Sequence, residues 1–208
     1  PAKARIYQTR DRQLFHSDSS DFVGLLCLQK SKSGGESRIA SSIAIHDEMY
    51  HRDRILWEEM YKPFWRDRRG EVPPGKIDYY PMAVFHYYMG KLSTIYARDY
   101  IESCSRFDEL PKLSGNQIAA LNMFDDISEN PDFQLNMTFE PGDIQFLHNH
   151  QILHARAGFE DWPEVERRRH LLRLWLCPEN GRPLPRSMLE RYLKIDIGDR
   201  GGIIGGNT

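Results

Sequence analysis

Strand-like apolar runs, rich in β-branched and aromatic residues and broken by Gly, Pro or Asp turns, dominate the chain. They cover residues 22–29, 37–42, 79–88, 91–97, 134–140, 143–149, 152–159 and 169–176. Met89-Gly90 reads as a hairpin turn between two of them, and Pro141-Gly142-Asp143 as a turn whose glycine supplies positive φ. Two stretches have helical spacing instead. Ile45, Met49, Leu56 and Met60 mark a helix over roughly 45–61. Ser114 and Gln117 form a capping box that opens a second helix carrying Ile118, Leu121 and Ile127, ended by Pro131. Residues 66–80 are charged, then Pro-Gly rich, and read as a long loop; residues 198–208 read as a flexible tail. Many short strands, few helices and tight turns predict a mainly β fold with helical insertions, a jelly-roll barrel.

Composition narrows this only a little. With 208 residues, 40% of them hydrophobic, the chain can bury one sizeable core, so residues 1–208 are read as one domain. Lys+Arg total 28 and Asp+Glu 30, so no basic excess points to nucleic acid. Cys27, Cys104 and Cys177 are scattered and odd in number, which argues against a disulfide framework or a CxxC zinc site and for a reducing cytoplasm. The longest apolar run, 22–28, is too short to span a bilayer and no signal peptide opens the chain. Pro1 is not a natural start, so a targeting segment could precede it. The expected partner is a small molecule, with neither nucleic acid nor membrane; a homo-oligomer is left open.

Three segments carry potential chemistry. In extended chain, His16 and Asp18 point to the same side and can converge on one metal ion, though a single His-x-Asp is weak. His148, His150 and His154 crowd into seven residues after a tight turn. As a helical zinc pair, His150 and His154 lack the glutamate of an HExxH hydrolase. As strands, only one or two of the three histidines face the interior, leaving the others as core residues. In the last strand Arg169, Leu171 and Arg173 share one face, and His170, Leu172 and Leu174 the other. Two arginines on an otherwise apolar strand are costly to bury without an anion, and a guanidinium fork grips a carboxylate bidentately. Two histidines and a carboxylate leave three open positions on iron: a dicarboxylate cosubstrate can fill two and O2 the third.

The segments FHSDSSDFVGLLCL, KSGGESRIASS, EPGDIQFLHNHQILHAR and RRRHLLRLWL, in that order, resemble the taurine dioxygenase (TauD/TfdA) family over nearly the whole chain. The resemblance implies a double-stranded β-helix (cupin-like) fold and an enzyme that uses Fe(II), 2-oxoglutarate and O2. It would release succinate and CO2 while oxidising, usually hydroxylating, a small molecule. Iron would be held by His16, Asp18 and His154, with 2-oxoglutarate bound by Ser37 and, at its distal carboxylate, by Arg169. Arg173 would meet an anionic group of the substrate, and Asn149 matches an asparagine leading to the second histidine, also on the substrate side. His148 and His150 are read as core or supporting residues. Family members carry a substantial segment before the first ligand, so the amino-terminal part of the barrel is expected to be missing here. Residues 42–80 are expected to act as a lid. Desaturation or cyclisation by the same class, a cupin-like metal enzyme independent of 2-oxoglutarate, and an inactive binding barrel are the competing readings.

Overall fold

The computed structural model describes residues 9–201, and its chain passes back and forth between two facing sheets. β1 (Gln13–His16) lies in the first sheet and β2 (Phe22–Gln29) in the second; after the short β3 (Ser33–Gly34), β4 (Ser37–Ser41) returns to the first. Helices α1 (Ser42–Arg52) and α2 (Arg54–Glu59) follow, then two hairpins, β5 (Phe64–Asp67) with β6 (Tyr79–Met82) and β7 (Phe85–Tyr88) with β8 (Lys91–Thr94). Beyond α3 (Arg98–Glu102) and α4 (Gly115–Glu129), the alternation resumes. β9 (Gln134–Met137) is in the first sheet, β10 (Ile144–His148) in the second and β11 (Ile152–Arg156) in the first. β12 (Phe159–Glu160) pairs with β3, and β13 (His170–Leu176) closes the series in the second sheet.

The first sheet has the order β1-β11-β4-β9 and the second β10-β2-β13, with antiparallel pairs throughout. Successive strands that switch sheets are the signature of a jelly roll. The expected barrel is nevertheless open, because no described strand links an edge of one sheet to an edge of the other.

Several expected boundaries shift for identifiable reasons. The helix expected over 45–61 breaks at Asp53, whose backbone is extended (φ −156°, ψ 107°) and whose carboxylate accepts from the Ile55 and Leu56 N–H groups, capping α2. The expected strand 79–88 is two strands, and β5 pairs with β6, so the loop expected over 66–80 shrinks to 68–78. α4 begins with the expected capping box. Met89 (φ 48°) and Gly90 (φ 75°) form the expected hairpin turn.

Period-two alternation sorts the first sheet. Phe15, Ala40, Leu153 and Ala155 face outward into one core with Ile45 and Met49 of α1 and Leu121, Phe124 and Ile127 of α4. His16, His154 and Ile39 form a row on the opposite, inner face, beside a row of Gln13, Arg156 and Ser37. The helices at 42–59 therefore back the sheet on the side away from the histidines. The apolar stripe of α1 finds its partners behind the site.

On the second sheet the inner rows are Gln145–Leu25–Arg173 and Leu147–Val23–Trp175. The outer rows, Ile144–Leu26–Leu172 and Phe146–Gly24–Leu174, are wholly apolar. Phe146 is 63% and Leu174 64% exposed, so no described element covers this face. Gly24 makes room there, since a Cβ would lie 3.0 Å from the Phe146 ring.

The tail expected to be loose from residue 198 is docked as far as Arg200. Its buried guanidinium pairs with Asp21 Oδ1 at 2.9 Å and donates to the Arg182 carbonyl, while His150 Nε2 lies 2.7 Å from the same carboxylate. Residues 202–208 lie outside the described residues. Cys27, Cys104 and Cys177 are free thiols, and no described helix is long and apolar enough to cross a membrane.

Candidate active site

β1 ends on His16, and the bend that follows carries Asp18 across the gap between the sheets. The bend is pinned on both sides: Ser17 N–H donates to the Tyr96 carbonyl (2.9 Å), and Asp18 N–H to the Asn149 side chain (3.2 Å). β11 sits beside β1 with His154 opposite His16, so the antiparallel register brings the two imidazoles together, ring centroids 4.2 Å apart. One ligand atom each from His16, Asp18 and His154 lies within 4.8 Å of the other two, the only such group of three among the described residues. His16 Nδ1 lies 2.9 Å from the Leu14 carbonyl, which assigns its proton there and leaves the Nε2 lone pair facing inward. That lone pair faces the Gln13 amide nitrogen at 3.0 Å. His154 Nδ1 is buried with no hydrogen-bond partner among the described residues. Two imidazole nitrogens and one carboxylate, buried and converging, fit a divalent transition metal that keeps open positions.

Charge states suit that role. Burial raises the Asp18 carboxyl, but His154, His16, Arg173 and a hydrogen bond from Trp175 more than offset it, so Asp18 stays ionised. Burial, with His16 nearby, pushes His154 down to about 3, and burial likewise pushes His86 to about 4. Both rings are neutral when folded but protonate near the ordinary 6.5 when unfolded. Below pH 6.5 the unfolded chain thus binds more protons, and stability falls with pH by up to about 1.4 kcal/mol per unit for each ring. The Tm of metal-free protein is expected to drop between pH 6.5 and 4, and less steeply in His86→Gln. Parallel Tm–pH slopes for the two proteins would contradict these assignments.

Ser37 and Arg169 are the residues expected to bind the cosubstrate. Ser37 is buried on the inner face of β4, and its hydroxyl donates across to Gln145 Oε1 on the second sheet (3.3 Å). Arg169 precedes β13; its guanidinium lies over the Phe159 ring at 5.3 Å, and burial lowers its pKa. Its backbone N–H, not its guanidinium, bonds Asp161 (2.8 Å), and no carboxylate of a described residue forms an ion pair with that guanidinium. A Cβ on Gly35 (φ 79°) would sit 3.3 Å from Arg169 Nε, so glycine there permits both the turn and the close approach. Arg173 faces inward as expected, its Nη1 3.7 Å from Asp18 Oδ2.

Asn149, expected on the substrate side, is fully buried behind the loop that carries Asp18. Its Oδ1 accepts from Asp18 N–H, its Nδ2 donates to Ser20 Oγ (3.0 Å), and its backbone N–H donates to the Asp21 carbonyl (2.9 Å). It holds the loop that presents Asp18. His150, bonded to Asp21 and fully buried, is a core residue, and His148 packs against Phe22 with ring centroids 4.7 Å apart. Sequence reasoning missed Gln145 and Trp175. Their signal was available: each occupies an inward position of a strand whose outward positions are mostly apolar.

Comparisons with known proteins identify the family. The model of the taurine catabolism dioxygenase TauD, TfdA family matches residues 1–175. FR-33289 synthase of Streptomyces rubellomurinus is 36% identical over 192 residues, covering 88% of this chain and 55% of its own length. A taurine hydroxylase-like protein of Stachybotrys chartarum is 34% identical, covering 77% of this chain and 41% of its own. A uridine-5'-phosphate dioxygenase of Amycolatopsis is 25% identical, covering 80% and 62%. This chain thus spans about half the length of the curated relatives it matches. Among solved structures, asparagine oxygenase with Fe(II), 2S,3S-3-hydroxyasparagine and succinate superposes with a TM-score of 0.58 at 16% identity, over 80% of this chain and 50% of that one. The non-haem iron oxygenase OrfP with Fe and α-ketoglutaric acid gives 0.55 at 11% identity, over 80% and 50%. These last two share the fold. With the family model matching residues 1–175, this chain belongs to the TauD/TfdA dioxygenase family.

Proposed function

We propose that this chain carries the catalytic core of an Fe(II)- and 2-oxoglutarate-dependent dioxygenase that hydroxylates a small anionic organic or amino acid, releasing succinate and CO2. The observation that carries the reading is the convergence of His16, Asp18 and His154 within 4.8 Å, with Arg173 beside Asp18. Iron(II) held there would supply three further coordination positions for 2-oxoglutarate and O2. The chain's own residues do the rest. His16, neutral His154 and ionised Asp18 would hold the ion, and the Ser37 hydroxyl, turned from Gln145, would donate a hydrogen bond to the cosubstrate. Arg169 grips the distal carboxylate of 2-oxoglutarate in a fork. Arg173, beside Asp18, orients the anionic end of the substrate over the metal.

Two of the relatives are named for compounds that carry an anionic group, taurine (a sulfonate) and uridine 5'-phosphate, which supports a substrate with an anionic group. Adding Fe(II) and 2-oxoglutarate anaerobically is expected to produce a visible charge-transfer band. With O2, a panel of small organic and amino acids is then expected to give substrate-dependent succinate release, with each active acid oxidised much faster than its neutral amide. Absence of both the band and succinate release would overturn the reading. Equal rates for acid and amide would remove the anionic substrate alone.

A further inference from the structure

The carboxylate of Asp18 has two unequal oxygens. Each oxygen faces one imidazole nitrogen, Oδ2 that of His154 at 3.8 Å, but only Oδ2 accepts a hydrogen bond, from the indole Nε1–H of Trp175 at 2.7 Å, with Arg173 Nη1 at 3.7 Å. Oδ1 faces His16 Nε2 at 3.9 Å and receives no hydrogen bond among the described residues. Trp175 sits on the inner face of β13, two positions beyond Arg173, whose guanidinium lies 5.1 Å from the centre of its ring. This indole bond is not something the fold grants every tryptophan: the buried Nε1 of Trp57 has no partner among the described residues.

We propose that Trp175 is a positioning residue for the metal centre, holding Oδ2 so that Asp18 presents Oδ1 alone. The proposal rests on the metal-binding reading above. Its consequence is a matter of coordination number. A carboxylate bound through one oxygen leaves three positions open beside two histidines, the number that a chelating cosubstrate and O2 together require. Bound through both oxygens it would leave two, one too few. The N–H donor makes the second mode costly, because Oδ2 would have to give up a charge-assisted hydrogen bond inside a buried cleft. Supporting groups of this kind typically change metal affinity by about 10- to 100-fold.

The test compares wild type, Trp175→Phe, and a protein carrying benzothienylalanine at 175, which keeps the indole shape with sulfur in place of N–H. Anaerobic titration with Fe(II) and with Co(II) is expected to show affinity about 10- to 100-fold weaker in both variants. The Co(II) absorption spectrum is expected to change with the carboxylate's binding mode, while the Tm of the metal-free isostere protein stays at the wild-type value. If Trp175→Phe loses stability, the isostere decides the question. Wild-type affinity and an unchanged Co(II) spectrum in the isostere protein would overturn the clamp. If wild type itself binds neither ion, or His154→Ala binds them equally well, the metal-site reading fails instead.

Discussion

Replacing His154 with alanine is expected to abolish Fe(II) binding and, with it, succinate formation, while leaving the metal-free fold intact. The ring contributes one of three ligands in a cleft where no other His, Cys, Asp or Glu of the described residues joins the group. Loss of a supporting hydrogen bond alone typically costs about 10- to 100-fold in metal affinity, so loss of the ligand itself should exceed about 100-fold. The fold should survive because His154 Nδ1 bonds to nothing among the described residues, whereas the neighbouring Leu153 and Ala155 carry the core contacts. His150→Ala is the contrasting control. It should keep the metal and lower the Tm, since it strips a partner from the buried Asp21 carboxylate. Metal titration and thermal melts of both variants separate the two roles. A His154→Ala protein that binds Fe(II) normally and turns over would exclude His154 as a ligand.

Arg169→Ala should damage cosubstrate binding without touching the metal. A buried carboxylate that loses its charged partner is typically destabilised by about 2–5 kcal/mol, equivalent to about 30- to 5,000-fold in affinity for 2-oxoglutarate. Arg169→Lys should recover part of this at most, because an ammonium cannot reproduce the planar fork. Fe(II) affinity should remain at the wild-type value in both, since Arg169 approaches Gly35 and Phe159 and forms no ion pair with Asp18. Measuring KM for 2-oxoglutarate alongside metal affinity tests both halves. An unchanged KM in Arg169→Ala would favour a cupin-like metal enzyme that does not use 2-oxoglutarate.

Much of this site was legible in the one-dimensional pattern. Alternation along β13 assigned Leu171 and Arg173 to one face and His170, Leu172 and Leu174 to the other, and the observed exposures follow it. The capping box of α4 and the glycine turns were equally local, because a side chain and a backbone group a few residues apart decide them. Choosing His154 over His148 and His150 needed the family pattern as well, since alternation alone allowed more than one inward histidine.

What the sequence by itself determined was which residues share a face and where turns and helix ends fall, since period, propensity and capping act over a few residues. Only the tertiary structure decided what each face meets. The stripe of α1 promised a buried helix but not on which side of the sheet, and it packs behind the histidines instead of closing over them. The bond from Trp175 to Asp18 joins residues 157 apart, that from Asn149 spans 131 positions, and that from Arg200 to Asp21 spans 179. Such contacts depend on the register of strands brought together from opposite ends of the chain. A shift of one residue would turn Trp175 and Arg173 out of the cleft, and no local property of either residue states which register wins.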